Sequence, residues 1–320
     1  MKLNLRSMAM RHPWIGPFAA LVCVYGLLAI LRPESFAGTA TLSLMAHQTV
    51  VVGIAAVGMT LIIIQGGIDL SVGSALALTT VVIASMLKGG SGPLVAATAG
   101  IAAAAACGLA NGLLITRLRV APFIVTLGAM SIIRGAAKGI AHEQKIDVDA
   151  RGLDTLLAPV SGGSWAIFPP GVWIAVAVAL LAAGMLRYTR LGRHIYAVGS
   201  NEQTARLCGV EVGKVKVIVY TMAAALTGLA GVMEFSTLTV GDPTDSMGRE
   251  LDVIAAVVIG GGSLSGGEGS ILGSLIGAFL MTVIKTGASH LGLPNWVEEI
   301  STGVIIVVAV ALDRVRHKRR

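Results

Sequence analysis

Leu42-Ser43-Leu44-Met45-Ala46-His47-Gln48-Thr49-Val50-Val51-Val52-Gly53-Ile54-Ala55-Ala56-Val57-Gly58-Met59-Thr60-Leu61-Ile62-Ile63-Ile64 contains no Lys, Arg, Asp or Glu. A helix needs about 20 mainly apolar residues to cross a bilayer, and this stretch supplies them. It stops at Gln65-Gly66-Gly67-Ile68-Asp69-Leu70-Ser71-Val72-Gly73, where glycine and a carboxylate interrupt the pattern before apolar residues resume. The same alternation extends in both directions. Apolar runs lie at about 14–31, 42–64, 70–87, 93–115, 121–140, 169–186, 217–235, 251–262, 270–287 and 297–312, separated by Gly, Pro or charge clusters. The expected fold is therefore all-α, a polytopic integral membrane protein with about ten transmembrane helices and a single transmembrane domain over 1–320. The eighth run is short.

Composition agrees. Of 320 residues 55% are hydrophobic and 13% charged, where soluble proteins carry about 25% charged residues. With 41 glycines and 4% aromatics, the chain suits small-residue helix packing in lipid. The run 14–31 is too long for a cleaved signal core and reads as a first span. Cys23, Cys107 and Cys208 lack the spacing of a zinc site or a disulfide framework. The net charge of +7 is spread over chain ends and inter-span segments rather than forming one aromatic-studded stripe, which argues against nucleic acid.

Charge distribution orients the chain, because cytoplasmic loops are enriched in Lys and Arg. With both termini cytoplasmic, the inner side collects 16 basic and 5 acidic residues of the 24 and 17 present, leaving 8 and 12 outside. One span more or fewer would move either the 187–216 loop or the Arg314–Arg320 tail to the acidic side. Two connections are long: an external loop at about 141–168, acidic and closed by Pro169-Pro170, and a cytoplasmic loop at about 187–216. A faint internal echo links Gly66–Ser74 with Gly261–Ser270. It marks either repeated halves flanking a translocation path or two tight turns.

Catalytic readings fail residue by residue. Leu264-Ser265-Gly266-Gly267-Glu268 looks like an ATPase signature, but no Gly-x4-Gly-Lys-Ser/Thr phosphate loop accompanies it. His142-Glu143 lacks the second histidine of a zinc-protease motif, because Ile occupies position 146. No nucleophile elbow is present. The reading is of no enzyme, no catalytic residue, no cofactor and no metal. Arg134, Lys138, Glu234 and Lys285 fall near span ends, where snorkelling is cheap. The polar residues Gln65, Asp69, Asn111, Thr126 and Ser131 are candidates for a translocation path or for interhelical hydrogen bonds.

In the inner loop, Ser200 with Gln203 reads as a capping box, Glu202 suits the helix start, Arg206 its end, and Gly209 a left-handed stop. So short a helix needs docking to be stable, and a charged, capped cytoplasmic helix suits a partner.

Four pieces in order then resemble one family: Gly66–Gly73, the run from Asn111-Gly112-Leu113-Leu114 through Pro122–Gly128, the 192–210 loop, and Gly261–Gly267. Over nearly its whole length the chain resembles the permease subunit of a bacterial ribose-type ABC sugar importer. The resemblance implies a multi-pass protein of the inner membrane that passes a monosaccharide or related polyol. It implies a cytoplasmic ABC ATPase subunit, a periplasmic sugar-binding protein and a second permease copy, identical or different, as partners. It also places ATPase coupling at Gly192, Gly199, Asn201, Glu202, Ala205 and Gly209. The acidic segments around Asp242, Asp245, Glu250 and Asp252, and around Glu298 and Glu299, suit either binding-protein contact or solvation. The rival reading is a secondary transporter or facilitator for a small polar solute, disfavoured by the lack of a midplane charge.

Overall fold

Proline and glycine set many of the helix boundaries. Pro93, Pro122 and Pro170 each stand in the first turn of a helix, where a missing N–H costs nothing. The computed structural model describes residues 14–36, 38–158 and 168–318. The N-terminal basic residues Lys2, Arg6 and Arg11, the loop residues Pro159, Gly162 and Gly163, and Arg319 and Arg320 lie outside the described residues.

In chain order the helices are α1 (Ile15–Leu31), α2 (Pro33–Phe36), α3 (Thr39–Ile64), α4 (Val72–Lys88), α5 (Pro93–Leu118), α6 (Pro122–Ile140), α7 (Pro170–Tyr188), α8 (Arg190–Ser200), α9 (Glu202–Leu207), α10 (Val212–Leu238), α11 (Arg249–Ile259), α12 (Ile271–His290) and α13 (Asn295–Lys318). Two short strands, β1 (Ile146–Asp147) and β2 (Val240–Gly241), pair antiparallel. Each expected apolar run falls largely within one helix. Among the described residues six helices are long and apolar enough to cross a membrane, in α3, α5, α6, α7, α10 and α12. The apolar helices α1 and α4 have 17 residues and α11 has 11.

Helix α3 is the hub. Its apolar window is 83% buried, against 17% for α7, so α3 is enclosed by protein while α7 lies at the periphery. Helices α5 and α10 pack through small residues: a side chain at Gly108, Gly112 or Gly228 would run into the backbone of the other helix. Such close approach is how apolar helices associate without a hydrophobic driving force in lipid.

Two segments leave the regular pattern. After α3 ends at Ile64, residues 65–71 turn back into the bundle. Asn111, about 10 Å of helix before the end of α5, donates to Ser71, so α4 starts inside the bundle rather than at its end. From the opposite end, the chain after β2 also dives inward. Gly241 packs on Thr80, Val81 and Ala84 of α4, whereas Ser246 and Glu250 reach Gly73 in the first turn of the same helix. The starts of α4 and α11 therefore converge deep in the bundle.

Candidate functional site

The loop after α7 folds as two helices, not one. Thr189 caps α8, its hydroxyl accepting from Gly192 N at 3.1 Å. Gly192, Ile195 and Val198 form the buried stripe of α8, with the three-residue spacing of a helix face. The expected capping box at Ser200 is corrected: Ser200 is the last residue of α8, and Asn201 caps α9 by accepting from Thr204 N at 2.8 Å. Asn201 N also closes α8 on Ala197 O. The amphipathic stripe of α8 captures Ser200, leaving the next residue to break the helix with extended backbone (φ −160°). The stop at Gly209 is as expected, with φ +81° and Val210 N bonded to Ala205 O.

Glu202 is the charged centre of α9. Its carboxylate accepts from Lys216 Nζ at 2.7 Å and from Arg206 at 3.2 Å. The hydrogen bond from Lys216 holds its pKa below the ordinary carboxylate value. Ala205 is buried beneath. A groove of about 870 Å³ runs alongside, bounded by Thr116, Arg119, Pro122, Glu202, Arg206 and Lys214.

The same loop meets both halves of the internal echo. Gly199 lies so close to the Ile64 carbonyl that a β-carbon would overlap it. Gly267 N donates to that carbonyl at 2.8 Å. Gly266 rests on Gly199 O and on the Cα of Gly66, and Tyr196 donates to Gly269 O at 2.8 Å. Gly66 and Gly267 have φ of +84° and +75°, a region that favours glycine. Backbone from α3, α8 and the α11–α12 connection thus crosses at one point, a three-way joint.

Four of the five polar path candidates sit around the loop 65–71. Asp69, 3% exposed, accepts from Ser71 N at 2.8 Å and Ser71 Oγ at 2.6 Å. Asn111 Nδ2 donates to Ser71 Oγ at 3.1 Å, and Thr126 Oγ1 to Ile68 O at 3.3 Å. Gln65 is buried with neither amide atom hydrogen-bonded. Ser131 is exposed on α6 and lies outside this network. Tyr220, which the sequence reading passed over, also donates to Ile68 O at 3.3 Å. A tyrosine in an apolar helix was the available signal, since its hydroxyl needs a partner when buried.

Around the turn before α11, three of the four side chains thought to snorkel, Arg134, Glu234 and Lys285, are instead paired, whereas Lys138 is exposed on α6. Arg134 donates to the carbonyls of Pro243 and Asp245 at 2.9 and 2.6 Å. Arg249 pairs with Glu234 at 3.2 Å, Lys285 with Asp252 at 2.5 Å, and Lys145 with Asp242 at 3.0 Å. Desolvation works against the Asp242 carboxylate, but donors from Thr244 and Lys145 still hold its pKa below the usual value. Asp242 and Asp252 are thus engaged within the chain.

Comparisons with known proteins follow the same lines. Residues 41–310 match the family described as branched-chain amino acid transport system / permease component. The chain is 40% identical over 303 residues to the ribose import permease protein of Escherichia coli K12, covering 94% of each chain. It is 37% identical to that of Bacillus subtilis 168, covering 94% of this chain and 92% of the relative. It is 34% identical to the fructose import permease protein of Rhizobium meliloti, covering 94% and 85%. No solved structure matches the chain.

Proposed function

The chain belongs to the branched-chain amino acid transport system / permease component family, and from that premise we propose that it forms the pathway for a monosaccharide or related polyol in a bacterial ABC importer. It is a multi-pass inner-membrane transport subunit and not an enzyme; ATP hydrolysis belongs to a separate subunit. One domain, 1–320, holds about ten membrane-crossing helices with both termini cytoplasmic, as supported by the placement of 16 basic residues on that side. The segment 187–216 is then cytoplasmic and 141–168 external. The partners are a cytoplasmic ABC ATPase, a periplasmic sugar-binding protein and a second permease copy, identical or different.

The observation that carries the mechanism is the joint at Gly199. A force applied to α8 and α9 by an ATPase reaches α3 and the α11–α12 connection through backbone contacts, with no flexible side chain between them. Such rigid transmission is what alternating access requires. Gly192, Gly199 and Ala205 seat the coupling segment, Asn201 and Gly209 delimit α9, and Glu202 ties it to α10. Gln65, Asp69, Asn111 and Thr126 are assigned to the path side of the moving loop, Gln65 offering an amide free to meet solute hydroxyls. Ser131 is assigned to the path from its exposed position on α6.

Co-purification from mild detergent tests this reading. Recovery of an ABC ATPase with the wild-type chain supports it. An intact, stable chain recovered alone would transfer the reading to a secondary transporter.

A further inference from the structure

The turn between β2 and α11 is exposed where it should be hidden. Met247 is 74% exposed and Leu251 47%, while every residue from Asp252 to Val258 is buried. The turn lies deep: roughly 22 Å of α4 separate Gly73, which it touches, from Lys88 at one end. About 16 Å of α11 continue from it towards the other end. It is firmly held, by Arg134 on the Pro243 and Asp245 carbonyls and by Glu234 on Arg249.

Charges decide which medium this turn meets. The Arg249 side chain is 33% exposed and that of Lys285, paired to Asp252, 38%. Both cations are tied to the buried carboxylates of Glu234 and Asp252 rather than extended to the interface, and partly exposed charges held in this way are expensive against hydrocarbon and are found facing water or protein. The exposed face of α7 has the opposite character: Leu180 and Leu181 are 68% and 74% exposed, and no charge occurs from Gly171 to Leu186. That face suits lipid.

We propose that the turn Ser246–Leu251 lines the solute path at its narrow, deep point, with Met247 and Leu251 forming an apolar constriction and Arg249 and Lys285 presenting N–H donors to the hydroxyls of a polyhydroxylated solute. The inference rests on the permease reading and names the solute-facing surface of that pathway. Charged donors beside apolar side chains match a sugar ring, which offers hydroxyl edges and C–H faces. Glu234 and Asp252 hold the two cations so that their remaining N–H groups point at the solute rather than collapsing onto other carboxylates.

Substituted-cysteine labelling tests it, on the complex of this chain with its ATPase and binding protein in nanodiscs. Cys23, Cys107 and Cys208 are replaced by Ser, and single cysteines are introduced as Met247→Cys, Leu251→Cys and Leu181→Cys. A charged, membrane-impermeant methanethiosulfonate should modify positions 247 and 251 at least tenfold faster than 181, and modification at 247 should abolish uptake. Equal slow rates with that reagent, together with ready modification of 247 by a lipid-soluble maleimide, would place the turn against lipid and overturn the proposal. Met247→Trp should lower uptake at least tenfold with ATPase recovery unchanged, whereas Leu181→Trp should leave uptake intact; equal uptake in the two would also overturn it. If no ATPase accompanies the chain, the permease reading fails, and the labelling contrast on the chain alone still decides whether the turn faces water.

Discussion

Two regions of the molecule are held by different chemistry. At the joint of α3, α8 and the α11–α12 connection, backbone meets backbone through Gly66, Gly199, Gly266 and Gly267. Around the turn before α11, long side chains hold the chain through ion pairs and carbonyl contacts. The first kind of contact has no slack, because the missing side chains leave nothing that can rearrange. The second kind can lengthen, exchange partners or take up water. The proposed rigid transmission and the proposed adjustable solute contact accordingly fall at different places.

That contrast breaks most visibly at Gly199. Gly199→Val would drive a branched side chain into the Ile64 carbonyl, and we expect uptake to fall at least a hundredfold; Gly128→Val, where an added β-carbon meets nothing within 4 Å beyond its own helix backbone, should keep most of its activity. Uptake normalised to membrane protein level measures both, and equal behaviour would dissolve the joint as a special contact.

Glu202→Lys comes next. It removes the pairs with Lys216 and Arg206 and places like charges together, so uptake and ATPase recovery should both fall about tenfold while the chain still inserts. Normal transport by this variant would move coupling away from α9.

At the ion-paired turn the effect should be graded. Asp252→Asn leaves Lys285 without its charged partner; unmade or weakened buried polar contacts cost about 1–3 kcal/mol. A thermal transition in detergent lowered by a few degrees, with residual uptake, is the expected result. Complete loss of folding would show that this turn is as intolerant as the joint.

The smallest effect separates the two cap assignments. Asn201→Ala should cost about 1 kcal/mol of local stability, read as faster amide exchange over 202–207, while Ser200→Ala should leave that exchange unchanged. The reverse ranking would restore the Ser200 capping box.

Much of this architecture was legible in advance because apolar length and turn chemistry are local. Each of the ten apolar runs lies largely within one helix, and Gly209 stops α9 as its residue type suggests. The Ser200 cap was misplaced because Ser200 and Asn201 both suit the role, and only the buried stripe Gly192, Ile195 and Val198 extends α8 over Ser200. The pairing of Arg134, Glu234 and Lys285 was missed for a related reason. Position near a span end suggests snorkelling, and nothing local announces that a chain segment from far along the sequence turns inward to meet them.

The sequence by itself determined that this chain is helical, apolar and membrane-embedded, and its motifs determined its family, since hydropathy, caps and motif residues are written in consecutive positions. Only the tertiary structure decided that Gly199 meets Ile64 and Gly267, and that Met247 is exposed deep inside the bundle. A glycine states that space is needed without stating what fills it, and depth depends on how far a segment folds back against helices remote from it in the chain.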